Sequence, residues 1–203
     1  MPIIGCVPGY RFDVFISYSR RGSAPKWLMN HFYPKFLDCL VDQIAPTPTT
    51  FLDTSMPRGM DWPAELAKAL RDSKILIPVL TPLYFESRWC MAEWRSMLAR
   101  EAMLGLGSTE RPQGLIYPIL YSDSENFPEE GLRRAWWDFK QLATPEPVFQ
   151  ESRQWIRFHH KVSDLARDVG QLLKQVPEWR PDWPIERPEP VLLPPPPIPR
   201  FDP

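Results

Sequence analysis

The 203-residue sequence carries no charge excess: 24 lysines and arginines stand against 25 aspartates and glutamates, a formal net charge of -1. That balance argues against any general attraction to nucleic acid or to an anionic membrane surface. No apolar run approaches the roughly 20 residues that span a bilayer. The N-terminal stretch MPIIGCVPGYRF lacks the basic region and apolar core of a secretory signal. Cysteine is scarce: Cys6, Cys39 and Cys90 are far apart and never form a CxxC pair. They offer no zinc site and read as reduced thiols of a cytoplasmic protein. Neither G-x-G-x-x-G nor G-x-x-x-x-G-K-[ST] occurs, which argues against a Rossmann dehydrogenase and a P-loop enzyme. His31, His159 and His160 fall on expected helices with no nucleophile or metal partner in view, so they read as structural or surface residues.

Proline, by contrast, is abundant. Of 26 prolines, 11 lie between Pro177 and Pro203, including four in a row at 194–197. Such a segment lacks backbone donors and favours an extended conformation, so it joins a core with difficulty. The expected organisation is an N-terminal extension over 1–9, one domain over 10–176, and a proline-rich, extended or disordered tail over 177–203. A hydrophobic fraction of 43% is enough for one real core.

Within 10–176, strand and helix signals alternate. FDVFIS, 12–17, is β-branched and aromatic and reads as a strand. The segment 24–44 places Phe36, Leu37, Leu40, Val41 and Ile44 at helical spacing, with Pro34 expected to start or kink the helix. TTFLD, 49–53, is a second strand; TSMPRGM, 54–60, is a loop punctuated by Pro57 and Gly59. Asp61 caps the next helix, Pro63 suits its first turn, and Trp62, Leu66 and Leu70 form its stripe. KILIPVL, 74–80, reads as a strand buried on both faces, with a bulge or strand end at Pro78. A helix containing Glu93 runs to about Leu104, LIYPIL (115–120) is a fourth strand, and Ile156, Val162, Leu165, Val169, Leu172 and Leu173 mark a closing helix.

This alternation implies right-handed crossovers around a parallel sheet, with helices on both faces and ligands beyond the carboxyl ends of the strands. SYSRR (17–21), TSMPRGMDW (54–62) and TPLYFESRW (81–89) lie at those ends, and Glu93 follows directly in SRWCMAEW. A glutamate flanked by Trp89 and Trp94 either faces water while the tryptophans build core, or is held in an apolar cleft because chemistry needs it there.

Taken together, FDVFISYSR, the run from FLDTSMPRGMDW to SRWCMAEW, and LIYPIL resemble a Toll/interleukin-1 receptor (TIR) domain over roughly residues 10–176. The resemblance implies a flavodoxin-like α/β fold. It also implies one of two uses. Many TIR domains, bacterial and plant ones especially, cleave the nicotinamide–ribose bond of NAD+, giving nicotinamide and ADP-ribose or a cyclised form, with no cofactor besides the NAD+ substrate. Others only assemble with one another. In catalytic members the essential glutamate ends an S-x-W-C-x-x-E segment, which here is Ser87, Trp89, Cys90 and Glu93.

One carboxylate suffices in principle for that chemistry. Nicotinamide leaves a pyridinium as a neutral molecule, so no acid is needed, and a fixed carboxylate can stabilise the ribosyl cation-like transition state. Trp89 lies four residues from Glu93, on the same helical face, and can stack on nicotinamide or exclude water. Cys90, Trp94 and Met97 are read as core. Ser17 and Tyr18 line the cleft mouth, as substrate contacts or as a serine-capped turn. Arg20 and Arg21 suit a pyrophosphate, or are solvated surface residues. Asp53 either contacts substrate or holds loop amides; Trp62 either stacks on ligand or packs its helix. The acidic residue that many family members carry soon after the first strand is missing from SRRGSAPKW. The expected partners are NAD+, further TIR domains through the loop at 54–61, and an activating protein or small molecule, since these 203 residues hold no sensor domain beside the TIR segment.

Overall fold

Among the described residues the sheet has five strands, and proline interrupts its hydrogen-bond ladder between the third and the fourth. A computed structural model of the protein describes residues 9–53, 62–123, 125 and 127–188. In chain order the elements are β1 (Phe12–Tyr18), α1 (Ala24–Trp27), a π-helical segment (Leu28–Phe32), α2 (Tyr33–Val41), β2 (Thr50–Leu52), α3 (Trp62–Arg71) and β3 (Ser73–Leu80). Then come α4 (Pro82–Phe85), α5 (Arg88–Leu104), β4 (Ile119–Leu120), α6 (Glu129–Leu132), β5 (Trp137–Asp138) and α7 (Gln154–Leu173). The sheet order is β2-β1-β3-β4-β5 and every pairing is parallel. The expected α/β fold with a parallel sheet and helices on both faces is the observed one.

Alternate residues of the central strands serve two cores, as the pleat dictates. Val14, Ile16, Ile75, Ile77 and Val79 point to one face, where Trp27, Phe36 and Leu40 of the first helices meet Phe158, Val162, Leu165 and Val169 of α7. Phe15, Leu76 and Leu80 point to the other, against Leu66 and Leu70 of α3 and Trp94 and Met97 of α5. The helices after β1 and after β3 therefore leave on opposite faces. Their divergence opens a crevice between the carboxyl ends of these two neighbours, the switch point at which such sheets bind ligands.

Proline acts as expected at one place and differently at another. Pro34 lies in the first turn of α2: the chain stays helical from Ala24 to Val41, but a wide π turn over Leu28–Phe32 sits immediately before it. Tyr33 N–H reaches back five residues to the Leu28 carbonyl, so the ladder is respaced where proline has no donor. Pro78 does not end β3, which pairs with β1 from Phe12↔Ser73 to Tyr18↔Val79 without a bulge. Leu76 N–H donates to Leu115 O and Leu80 O accepts from Tyr121 N–H, so even-numbered residues of β3 face β4. The missing donor of Pro78 thus falls on the β4 side, where the ladder breaks between the Leu76↔Ile116 bridge and the Val79↔Ile119 pair. Pro118 occupies the same gap, and β4 shrinks to two residues of the six expected at 115–120.

Other differences are smaller. Val41 and Ile156, expected on apolar stripes, are exposed at 48% and 64%, while their helix neighbours Leu40 and Phe158 are the ones turned into the core. β5, a two-residue strand, has too little length to show a period. Residues 177–188, read as the start of an extended tail, lie against α5: Trp183 is buried, its ring 5.0 Å from the Arg100 guanidinium, and Glu186 N–H donates to Ser96 Oγ at 2.8 Å. Proline denies this segment a ladder, but tryptophan and isoleucine side chains can still pack, and Ile185 joins the second core. The loop at 54–60 with its Gly59, the expected cap Asp61, and residues 189–203 lie outside the described residues.

Candidate functional site

The first side chain of the site comes from strand period. Ser17 is the penultimate residue of β1, and the alternation that buries Phe15 beneath the sheet on the α5 side puts Ser17 on that same side at the strand's carboxyl end, 2% exposed. The second comes from a cap. Ser87 is the N-cap of α5, and its hydroxyl accepts from Cys90 N–H at 3.3 Å. That fixes the first turn, so Glu93, on the second turn, swings toward the sheet. Glu93 is 8% exposed, and its Oε2 is in direct hydrogen-bond contact with Ser17 Oγ. Of the two alternatives for this glutamate, the solvated one does not hold: the side chain lies beneath the surface at the crevice.

A cavity of about 530 Å³ opens beside it. Tyr18, Arg20 and Asp53 form one wall, with Trp89, Cys90 and Glu93 opposite. Arg20 Nη2 contacts Asp53 Oδ2 at 2.6 Å, and Tyr18 donates its hydroxyl hydrogen to the Asp53 carbonyl at 3.3 Å. An acidic side chain from the end of β2 thus stands beside Arg20. Asp53 serves both the arginine and the tyrosine, and the loop amides it was expected to hold lie outside the described residues. Arg21 turns instead to Glu86, 2.6 Å away, at the cavity rim. Trp89 is half-buried; it packs against the α5-side core and also lines the cavity. Trp62 begins α3, but its side chain lies outside the described residues, as does the loop at 54–61. Ser17, Tyr18, Arg20, Asp53, Trp89 and Glu93 are therefore brought to one place.

Burial dominates the electrostatics. Desolvation pushes the Glu93 carboxyl from an ordinary 4.5 up to about 8, with the contact to Ser17 opposing, the negative Asp53 adding, and Arg20 opposing. The Cys90 thiol is pushed up to about 12 by burial and then by Glu93, so it is a neutral packing group and no nucleophile. Tyr18 is raised by burial and by Asp53, with Arg20 opposing. Among the described residues no group of three His, Cys, Asp or Glu side chains is placed to hold a metal ion, and no helix is long and apolar enough to cross a membrane.

Two neighbours carried no sequence signal. Tyr84, in TPLYFES, looks like one more aromatic in an apolar segment, yet its hydroxyl is 3.1 Å from Ser17 Oγ. Glu86 looked like a loop residue and holds Arg21. The histidines behave as read: His31 is buried, with Nε2 3.1 Å from the Glu146 carbonyl, and His159 and His160 are exposed.

Comparison with known proteins agrees with the fold. Residues 14–173 match the model of the TIR domain family. The chain is 25% identical over 175 residues to the Arabidopsis thaliana disease resistance protein TAO1, across 81% of this chain and 14% of that one. Among solved structures, the TIR domain of the Toll-related receptor TRR-2 from Hydra magnipapillata aligns over 73% of this chain and 98% of its own, at 21% identity and TM-score 0.46. The TIR domains of the activated Roq1 resistosome, described as directly recognizing the pathogen effector XopQ, align over 81% and 96%, at 18% identity and TM-score 0.41.

Proposed function

The chain belongs to the TIR domain family, and from that premise we propose that it is an NAD+ nucleosidase whose essential group is Glu93. The observation that carries this reading is a buried carboxyl at the β1/β3 switch point, held by Ser17 and opening on a cavity lined by an arginine and a tryptophan. The nicotinamide ring enters beside Trp89, and Arg20 faces the pyrophosphate. The bond from ribose C1′ to the pyridinium nitrogen breaks, its electron pair stays with nicotinamide, and positive charge develops on the sugar. The Glu93 carboxylate stabilises that charge in a site poor in water. Water then attacks C1′ and loses a proton, giving ADP-ribose, or an adenine nitrogen attacks and closes a cyclic product.

The raised Glu93 carboxyl fits this scheme through linkage. An empty site holds the acid neutral over much of the physiological range, while a bound pyridinium cation favours the carboxylate. Substrate itself then helps to generate the charged form. Because the curated relative is a disease resistance protein, we place the activity in a defence or signalling system. Self-association through the loop at 54–61 and activation by another protein or a small molecule belong to the same proposal.

A second reading draws on the same burial. A neutral glutamic acid tied to Ser17 can serve simply as a buried polar link in a non-catalytic assembly module. The deciding experiment is mass spectrometry of NAD+ incubated with concentrated protein, wild type beside Glu93→Gln. Nicotinamide release by the wild type alone supports the nucleosidase. Equal release, or none in any assembled state, overturns it.

A further inference from the structure

Beneath Glu93 lies a tyrosine that the scheme above does not use. Tyr84 is the third residue of α4 and its side chain is fully buried. Its backbone N–H donates to Thr81 Oγ1 at 3.0 Å, and its ring meets Phe85 and Trp94 edge-on, so it has no freedom to swing aside. Its hydroxyl is 3.1 Å from Ser17 Oγ and 3.3 Å from the Cys90 carbonyl. Ser17 Oγ in turn contacts Glu93. Three hydrogen-bond contacts therefore run in series, from Glu93 to Ser17, to Tyr84, to the Cys90 carbonyl.

Three contacts need three hydrogens. Ser17 and Tyr84 have one hydroxyl hydrogen each, and a carbonyl has none. With all three contacts made, the third hydrogen belongs to the Glu93 carboxyl: Glu93 donates to Ser17, Ser17 to Tyr84, and Tyr84 to Cys90. Should Glu93 ionise, Ser17 must turn its hydrogen to the carboxylate. Tyr84 can then serve Ser17 or the Cys90 carbonyl, but not both, and one contact is lost. The geometry points to Tyr84 as a positioning residue that, acting through Ser17, keeps the proton on Glu93 in the empty site.

The surroundings are consistent with that role. Burial raises Tyr84 itself well above the ordinary tyrosine range, with Cys90 and Glu93 adding to it, so it remains a phenol with a hydrogen to give. The titratable and charged groups facing Glu93 are the neutral Cys90 thiol on its own helix, the phenols of Tyr84 on α4 and Tyr18 on β1, and the Arg20–Asp53 pair, in which Asp53 disfavours the carboxylate and Arg20 favours it. The consequence for turnover rests on the nucleosidase reading, whereas the assignment of the proton does not. The relay makes the site inert until a cation enters and draws Ser17 over to the carboxylate.

The test is a carbon-13 NMR titration of protein labelled at the glutamate carboxyl carbons, with the Glu93 resonance identified by its loss in Glu93→Gln. The wild type is expected to titrate near 8. In Tyr84→Phe the Ser17 hydrogen loses the Tyr84 oxygen as acceptor and turns to the carboxylate, and the midpoint falls by at least about one pH unit. In a Ser17→Ala background, Tyr84→Phe moves nothing further. An unmoved or raised midpoint in the single variant overturns the relay. Where Tyr84→Phe does not fold, the infrared spectrum of the wild type at pH 7 decides: a protonated-carboxyl stretch that vanishes in Glu93→Gln supports the relay, and its absence overturns it. A lowered midpoint with no nicotinamide release by either protein keeps the relay and sinks the nucleosidase; release by both with a common midpoint does the reverse.

Discussion

Helix α5 holds two buried glutamates eight residues apart, and they are held in opposite ways. Glu101, 2% exposed, accepts from the backbone N–H groups of Leu115 and Ile116, the latter at 3.1 Å, and pairs with Arg134, whose Nη1 is 3.0 Å from Oε1. Each of its oxygens has a donor, and together these tie the approach to β4 down onto α5. Glu93, 8% exposed, contacts one serine hydroxyl and otherwise faces a cavity. The first carboxylate is compensated and closes a joint in the fold. The second is left with capacity to spare, and an open, desolvated carboxyl at a strand switch point is the pattern of a working group. The same residue type, on one helix and at similar burial, takes its role from what the rest of the chain brings to it.

The sharpest way to break this contrast is to remove each charge in turn. Glu93→Gln is expected to lower nicotinamide release by at least about 10²–10³-fold with the fold intact, as for loss of one placed electrostatic group. Substrate turnover followed by mass spectrometry, with circular dichroism as control, checks it. Glu101→Ala should instead unfold more easily, by about 2–4 kcal/mol, because two buried amides and Arg134 lose their acceptor. Urea denaturation measures that loss, and kcat per folded molecule should hold near the wild-type value.

pH sharpens the contrast further. The folded Glu93 carboxyl lies near 8 against an ordinary 4.5, so between these values the folded state binds more protons than the unfolded one. Its contribution to stability is therefore full below about 4.5, declines as pH rises toward 8, and is lost above that. Denaturation midpoints from pH 5 to 9 should fall for the wild type relative to Glu93→Gln, and the two curves should converge on the acid side. On the proposed nucleosidase reading activity should run the other way: kcat/KM should rise with pH and level off above about 8, since the free enzyme must yield the carboxylate. The smallest expected effect is at Arg20. Its pairing with Asp53 is largely exposed on the arginine side, so Arg20→Ala should cost less than about 1 kcal/mol of stability. Steady-state kinetics should show KM rising more than kcat falls.

Much of this was legible in the residues. The β-branched and aromatic residues of FDVFIS and the apolar run of KILIPVL marked the central strands, and the 3.6-residue stripes of the helices placed Leu66, Leu70, Val162 and Leu165 in the cores where they are found. Chain order around a parallel sheet was enough to put SYSRR and SRWCMAEW at one crevice. Prolines were harder to place, because their effect depends on which neighbour the missing N–H would have faced. At Pro78 that neighbour was β4, a matter of register rather than composition.

Local covalent chemistry and periodicity, then, determined which segments become strands and helices and which end of the sheet gathers polar residues, because those signals repeat within a few residues. Whether Glu93 or Glu101 would be left uncompensated depended on partners 14 to 76 residues away in the chain. Only the packed structure decides which distant donors arrive at a given carboxyl. Tyr84 and Trp183 owe their places to the same cause: a buried hydroxyl or indole takes its meaning from the groups that folding sets against it.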